Sequence, residues 1–157
     1  MLIIDTRERA NAIKPILNYF DSVGAEYMRS KLIVGDYMIF KNPTLVIDRK
    51  QNVDELANNC TNDHIRFKAE LDTAVNLGVR LVILVEQDHY YDRGKRIELN
   101  DIDDLMFWTS RYNTIRGEKV YRILASWCHK YPLSVRFCNK KDTGRRILEI
   151  LEGGTDG

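Results

Sequence analysis

The 157-residue sequence predicts an α/β fold in which helices flank a mixed central β-sheet. Three observations carry that prediction. Leu81-Val82-Ile83-Leu84-Val85 is an unbroken apolar run, as expected of a strand covered on both faces. Ile13, Ile16, Leu17 and Phe20 recur at helical spacing, as do Val120, Ile123, Leu124 and Trp127. Strand-like and helix-like segments alternate along the chain, with no internal repeat and no interdomain linker. The length corresponds to about one domain, so residues 1–157 are read as a single unit, with a core at about 1–85 and a basic extension at about 101–152.

The elements follow in order. Leu2-Ile3-Ile4 is a short buried strand, and a helix is expected from about Glu8 to Ser22, stopped by Gly24. Short strands are expected at Glu26 to Met28, Leu32-Ile33-Val34, Tyr37 to Phe40 and Leu45 to Lys50. Asn42-Pro43 is the expected turn of a hairpin joining the last two. A short helix at Asn52 to Asn59 precedes a clearer one capped by Asp63, with Phe67, Leu71, Ala74 and Val75 on its apolar face and Gly78 at its end. After the strand at 81–85, residues 86–100 read as a polar loop, and helices are expected at Asp101 to Tyr112 and Glu118 to Lys130. Leu133, Val135 and Phe137 alternate as a strand, and Asp142 is the expected cap of a final helix through Leu151.

Composition excludes several classes. No apolar run approaches the ~18–20 residues of a membrane span, and Met1-Leu2-Ile3-Ile4-Asp5 is too short for a secretory h-region. The three cysteines, Cys60, Cys128 and Cys138, form no CxxC, and the three histidines are scattered, so a structural zinc site is not expected; no organic cofactor is expected. An intracellular protein is the expectation.

The net charge of +1 conceals an uneven distribution. Residues 1–107 carry 14 Lys/Arg against 18 Asp/Glu, whereas residues 108–147 carry 10 against 2, a net +8. That block reads either as a polyanion footprint or as a solvated helical face balanced by the N-terminal part.

The acids lie at the ends of apolar runs. Asp5 and Glu8 follow the first strand, Asp36 heads a hairpin strand, and Asp48 sits in Val46-Ile47-Asp48-Arg49-Lys50. Strand side chains alternate faces, so Asp48 and Lys50 share one face and Arg49 takes the other. The hairpin brings Asp36 toward Asp48. Two carboxylates beside a lysine suit phosphodiester hydrolysis. The acids hold Mg²⁺ or Mn²⁺, the metal lowers the pKa of a bound water, and Lys50 orients that water or stabilises charge building on phosphorus. Taken singly, each feature also fits a bland role: a capping arrangement for Asp5 and Glu8, a turn for Gly35-Asp36, a solvated hairpin end for Asp48-Arg49-Lys50.

Three segments in order resemble one family. Ile4-Asp5-Thr6-Arg7-Glu8 resembles the "VDxRE" opening of XPF-type nuclease domains. Val34-Gly35-Asp36-Tyr37 resembles their "xGDY" segment. Ile47-Asp48-Arg49-Lys50-Gln51-Asn52-Val53-Asp54-Glu55-Leu56 resembles their "ERKxxxDL" signature, with Asp48 where the family usually has Glu. The spacing from Asp36 to Lys50 is that of the PD-(D/E)xK superfamily. The resemblance covers roughly the first 85 residues well, and the remainder looks like the extensions of small phage and bacterial members. It implies a restriction-endonuclease-like core, a Mg²⁺- or Mn²⁺-dependent endonuclease cutting branched DNA, and a homodimer. It also implies bacterial or phage origin. Carried over, Asp36 and Asp48 are the main metal ligands, Asp5 a third acid that meets the metal directly or through water, Glu8 a nearby acid in a supporting or ligand role, Lys50 the catalytic lysine, and Arg7 and Arg49 charged site residues. Asp54 would orient one of these groups from behind. The tandem helix-hairpin-helix module of many relatives has no match here, and the basic block is expected to take part of its work.

Further DNA contacts are expected from His64, Arg66 and Lys68 at one helix start, and from Lys140, Lys141, Arg145 and Arg146 at the last. Glu70 is expected to pair with Arg66. Trp108 and Tyr112, in a basic neighbourhood, are read as core packing or as base-stacking groups. His89-Tyr90-Tyr91 could face substrate. The alternatives left open are a non-catalytic DNA-binding module or partner subunit, and a restriction enzyme or exonuclease on the same fold.

Overall fold

The computed structural model describes residues 1–153; the last four positions of the predicted unit lie outside the described residues. Eight strands and five α-helices follow the chain: β1 (Leu2–Ile4), α1 (Lys14–Ser22), β2 (Tyr27–Arg29), β3 (Tyr37–Ile39), β4 (Asn42–Lys50), α2 (Val53–Cys60), α3 (His64–Asn76), β5 (Arg80–Val85), β6 (His89–Asp92), β7 (Lys95–Glu98), α4 (Gly117–Lys130), β8 (Leu133–Phe137) and α5 (Thr143–Gly153). Six strands form a sheet in the order β2-β1-β3-β4-β5-β8. The β1–β3 and β3–β4 pairs are antiparallel, and β1–β2, β4–β5 and β5–β8 are parallel. This is the mixed sheet flanked by helices that the sequence predicts. No helix is long and apolar enough to cross a membrane among the described residues.

Alternation along β4 and β5 divides the core. Val46, Leu81, Ile83 and Val85 face α2, α3 and α4, where Leu56, Phe67, Leu71, Leu124 and Trp127 join them. Leu45, Ile47, Val82 and Leu84 face α1 and α5, against Ile16, Phe20, Ile147 and Ile150. Asp48 and Lys50 continue the first set, and Arg49 the second.

Several elements differ from expectation, each for a local reason. Helix α1 begins at Lys14 rather than near Glu8, with Pro15 in its first turn, where a missing N–H costs nothing. Residues 32–34 form no strand, because the Leu32 N–H is taken by the Asp5 carboxylate and its carbonyl by the Arg7 guanidinium. Asn42-Pro43 opens β4 instead of turning; the turn is Phe40-Lys41, and Ile39 pairs with Asn42. The expected loop at 86–100 contains the β6–β7 hairpin. Its Arg93-Gly94 turn has φ of 51° and 80°, the positive pair a two-residue hairpin connection favours. The helix expected at 101–112 is only a short 3₁₀ turn, Ile102–Leu105, closed by an Asp101–Asp104 capping box. Beyond it, Gly117 N–H reaches the Trp108 carbonyl and Thr109 bridges Arg116, folding the segment back onto the start of α4. A 3₁₀ turn immediately precedes α5. Asn139 caps a 3₁₀ turn at Lys140–Asp142, and Asp142 faces Arg145 at 3.7 Å.

Candidate active site

Strands β1, β4 and β5 run in the same sense, and their carboxyl ends, with the start of β3, gather the charged residues at one edge of the sheet. Parallel strands present ligand sites at that end. Gly35 makes the approach of β3 possible. Its φ is +73°, and a Cβ there would lie 2.3 Å from Val46 Cγ1. The next residue, Asp36, donates its N–H to Ile47 O, while its Oδ2 accepts the Arg49 N–H at 2.8 Å. Asp36 is thereby held against β4, beside Asp48.

On the α2/α3 side lies a cavity of about 400 Å³ lined by Asp36, Asp48, Lys50, Glu55, Arg66 and Glu70, with Arg7, Glu8, Gly35 and Arg49 completing it. Lys50 Nζ stands 3.3 Å from Asp48 Oδ1 and 5.3 Å from the centre of the Phe67 ring. Burial works against the ammonium, but Asp48, Glu55 and Asp36 outweigh it and hold the Lys50 pKa above its ordinary value. Burial, with the neighbouring Asp48 and Glu8 charges, pushes the Asp36 carboxyl well above the usual range. Glu70 accepts the Gly35 N–H and is raised by burial and by Asp48. The site thus concentrates acids that repel one another.

On the opposite face Arg49 sits between two acids. It donates to Glu8 Oε2 at 2.6 Å and to Glu86 Oε1 at 2.6 Å, all three side chains being buried. Tyr37 Oη donates to the same Glu8 oxygen at 2.7 Å, and Thr143 Oγ1 donates to Glu86 Oε2 at 2.6 Å. This network ties β3, β4 and β5 to the first residue of α5.

The sequence-expected residues divide accordingly. Asp36, Asp48 and Lys50 converge, and Glu8, Arg7 and Arg49 border the same cavity. Asp5 is not brought there. Fully buried, it spends Oδ1 on Leu32 N–H and Oδ2 on the Arg7 N–H and guanidinium, which fastens the 32–34 segment. Asp54 does not reach the acids either; its Oδ1 accepts the Ser110 hydroxyl at 2.6 Å. His64, Arg66 and Lys68 are exposed, and Arg66 pairs with Asp63 at 2.7 Å rather than with Glu70. Lys140 and Lys141 are exposed, whereas Arg145 and Arg146 are engaged with Glu149 at 2.8 and 3.4 Å. Sequence reasoning missed Glu70, Glu86 and Thr143. Glu70 had one signal: three residues after Phe67, it borders the apolar stripe of α3.

A family model described as the ERCC4 domain matches residues 4–150. The chain belongs to the ERCC4 domain family. XPF from Aeropyrum pernix is similar in structure, with a TM-score of 0.67 and 16% identity, over 99% of this chain and 67% of that one. XPF from Aeropyrum pernix in complex with DNA gives 0.66 and 17%, over 98% and 64%. The chain therefore spans about two thirds of the length of these structures. At such identities the likeness shows the fold, here the XPF nuclease fold. No curated protein matches the sequence. The family match carries the ERCC4 domain through the basic extension, well past the last of the three sequence motifs.

Proposed function

We propose that this ERCC4 domain is a divalent-metal-dependent endonuclease that cuts branched DNA. The observation that carries the reading is the convergence of Asp36, Asp48 and Lys50 in one cavity, where Asp36 and Asp48 lie close enough to repel each other. Support for DNA as the substrate comes from the family and from the DNA complex of the Aeropyrum pernix structure. A homodimer, which the resemblance to XPF-type nuclease domains implies, is part of the proposal.

The donor set suits a hard cation. Among the described residues no three His, Cys, Asp or Glu side chains group as a metal site, so the ion would rest on Asp36 and Asp48. Mg²⁺ is commonly held by one or two carboxylates, with waters and substrate phosphate filling its remaining positions. Mutual repulsion of the two aspartates is the strain such an ion relieves. When bound, it supplies Lewis acidity and an acidified water near neutral pH. The chain's own residues do the rest. Lys50, kept charged by its neighbours, donates toward the attacking water or the phosphoryl oxygen where charge builds. The Asp36 contact to the Arg49 N–H fixes its carboxylate before substrate arrives. Arg49, locked between Glu8 and Glu86, holds the strand that carries both Asp48 and Lys50. Arg66 and Lys68, on the exposed first turns of α3, and Lys140 and Lys141 at the turn before α5 are proposed phosphate contacts.

The test is cleavage of labelled flap, fork, Holliday-junction, single-stranded and plain duplex DNA with Mg²⁺, Mn²⁺ or EDTA. Metal-dependent cutting of a branched substrate, in preference to duplex, is expected. Cutting plain duplex at one sequence, or resection from ends, would replace the branched-DNA reading with a restriction or exonuclease one. Binding without cutting in either metal would overturn the catalytic claim.

A further inference from the structure

A second and larger cavity, about 630 Å³, also borders the first turn of α2. The two cavities share that turn: Glu55 lines the acidic one, and Asn52 and Asp54 line the larger. Its far wall is built from the two segments whose form the sequence concealed, the β6 strand and the irregular 106–116 loop. The volume lies within the ~300–1,000 Å³ typical of small-ligand pockets.

Its lining is aromatic in two layers. Trp108 and Tyr90 are buried and form the wall, Tyr90 donating its hydroxyl to the Asp104 carbonyl. Tyr91 and Tyr112, 63% and 77% exposed, stand at the mouth. The Tyr91 ring and the Tyr112 backbone are each held by a neighbour. The His89 ring meets Tyr91 edge-on at 5.6 Å. Tyr112 N–H donates to Ser110 Oγ, whose hydroxyl is fastened to Asp54 on α2 at 2.6 Å. Asp54 therefore positions this loop. Arg111 lies between the anchor and Tyr112, also at the cavity. Exposed aromatic rings beside a cation are the equipment that single-stranded nucleic acid uses: bases stack and the backbone is neutralised.

We infer that this cavity holds an unpaired nucleotide of a DNA strand leaving the active site, its base against Tyr91 and Tyr112 and its phosphate met by Arg111. The inference rests on the DNA-processing reading above and deepens it, since it places the unpaired arm of a branched substrate beside the signature helix.

The test measures binding of a short labelled oligothymidine and of a duplex of equal length to the whole chain in EDTA, where nothing is cut. Wild type is compared with Tyr91→Ala, Tyr112→Ala and Tyr112→Phe. Both alanine positions are exposed, and melting curves check that the variants stay folded. Each alanine change is expected to weaken oligothymidine binding by about 5- to 150-fold, the range of one lost base stack. Duplex binding should hold, and Tyr112→Phe should bind as wild type. A 2-aminopurine in the oligonucleotide should change fluorescence on wild type and not on Tyr112→Ala. Equal oligothymidine binding by wild type and the alanine variants, or no binding by wild type, would overturn the inference. Equal losses for single strand and duplex would also overturn it, by reducing the cavity to general phosphate contact. Metal-dependent flap cleavage by wild type is read separately, so failure of the nuclease reading and failure of this pocket remain distinct.

Discussion

Asp5 and Asp36 are both aspartates at the carboxyl edge of the sheet, yet their surroundings drive them in opposite directions. Burial alone would raise Asp5, but the Arg7 side chain and the N–H groups of Leu32 and Arg7 outweigh it and hold its pKa below the ordinary value. The stability this gives is present above the ordinary carboxylate pKa and is lost as pH falls through the depressed one. Asp5→Asn should cost about 1–3 kcal/mol at neutral pH, and the gap from wild type in denaturant titrations should close in acid. Asp36 is the reverse case. Its proton is held more tightly in the folded chain, so its favourable contribution is complete below the ordinary pKa and disappears as pH rises through the raised one. Asp36→Asn should therefore stabilise the protein by about 0.5–2 kcal/mol at neutral pH, with no advantage in acid, while removing cleavage. Melting temperatures across pH 4–8 would show the crossover. The sequence did not separate the two surroundings, because the motif specifies an acid and not its hydrogen-bond partners.

At the scale of elements, the site depends on how closely β3 approaches β4. Gly35 has a left-handed φ and no room for a methyl group. Gly35→Ala should cost about 1–3 kcal/mol from the backbone strain alone and more from the clash with Val46, and it should abolish metal-dependent cleavage by displacing Asp36. Denaturation and a cleavage time course together check both halves. The buried Glu8–Arg49–Glu86 arrangement makes a second prediction. Glu86→Ala removes one acid from Arg49 and leaves the Thr143 hydroxyl only its longer bond to the Lys140 carbonyl, and should destabilise by about 3–5 kcal/mol. Period-two alternation already placed Asp48 and Lys50 on one face and Arg49 on the other. It gave no hint of Glu86, because that partner is contributed by the end of a parallel strand 37 positions later. The β6–β7 hairpin was concealed by its polar composition; only the Arg93-Gly94 pair marked it. The helix expected at 101–112 stops after one 3₁₀ turn: Leu105 ends that turn buried, and Trp108 packs from the loop that turns back to α4.

For the whole molecule, the sheet and its helices were legible wherever an element buries a continuous apolar face: β5, α3, α4 and β8 sit close to where their periodicity puts them. The family was legible from three short motifs, and the match over residues 4–150 extends it through segments that carry no motif. What stayed hidden was set by tertiary pairing, including the larger cavity and the partners of Asp5 and Asp54. The central claim is that Asp36, Asp48 and Lys50 form one hydrolytic centre. The most direct measurement is the single-turnover rate of flap cleavage in Mg²⁺ for wild type, Asp36→Asn and Lys50→Ala, each shown to be folded. The account predicts that both substitutions lower the rate by at least about 100-fold, and that EDTA abolishes cutting by wild type. Rates within a few fold of wild type in either variant would place the chemistry elsewhere and contradict it.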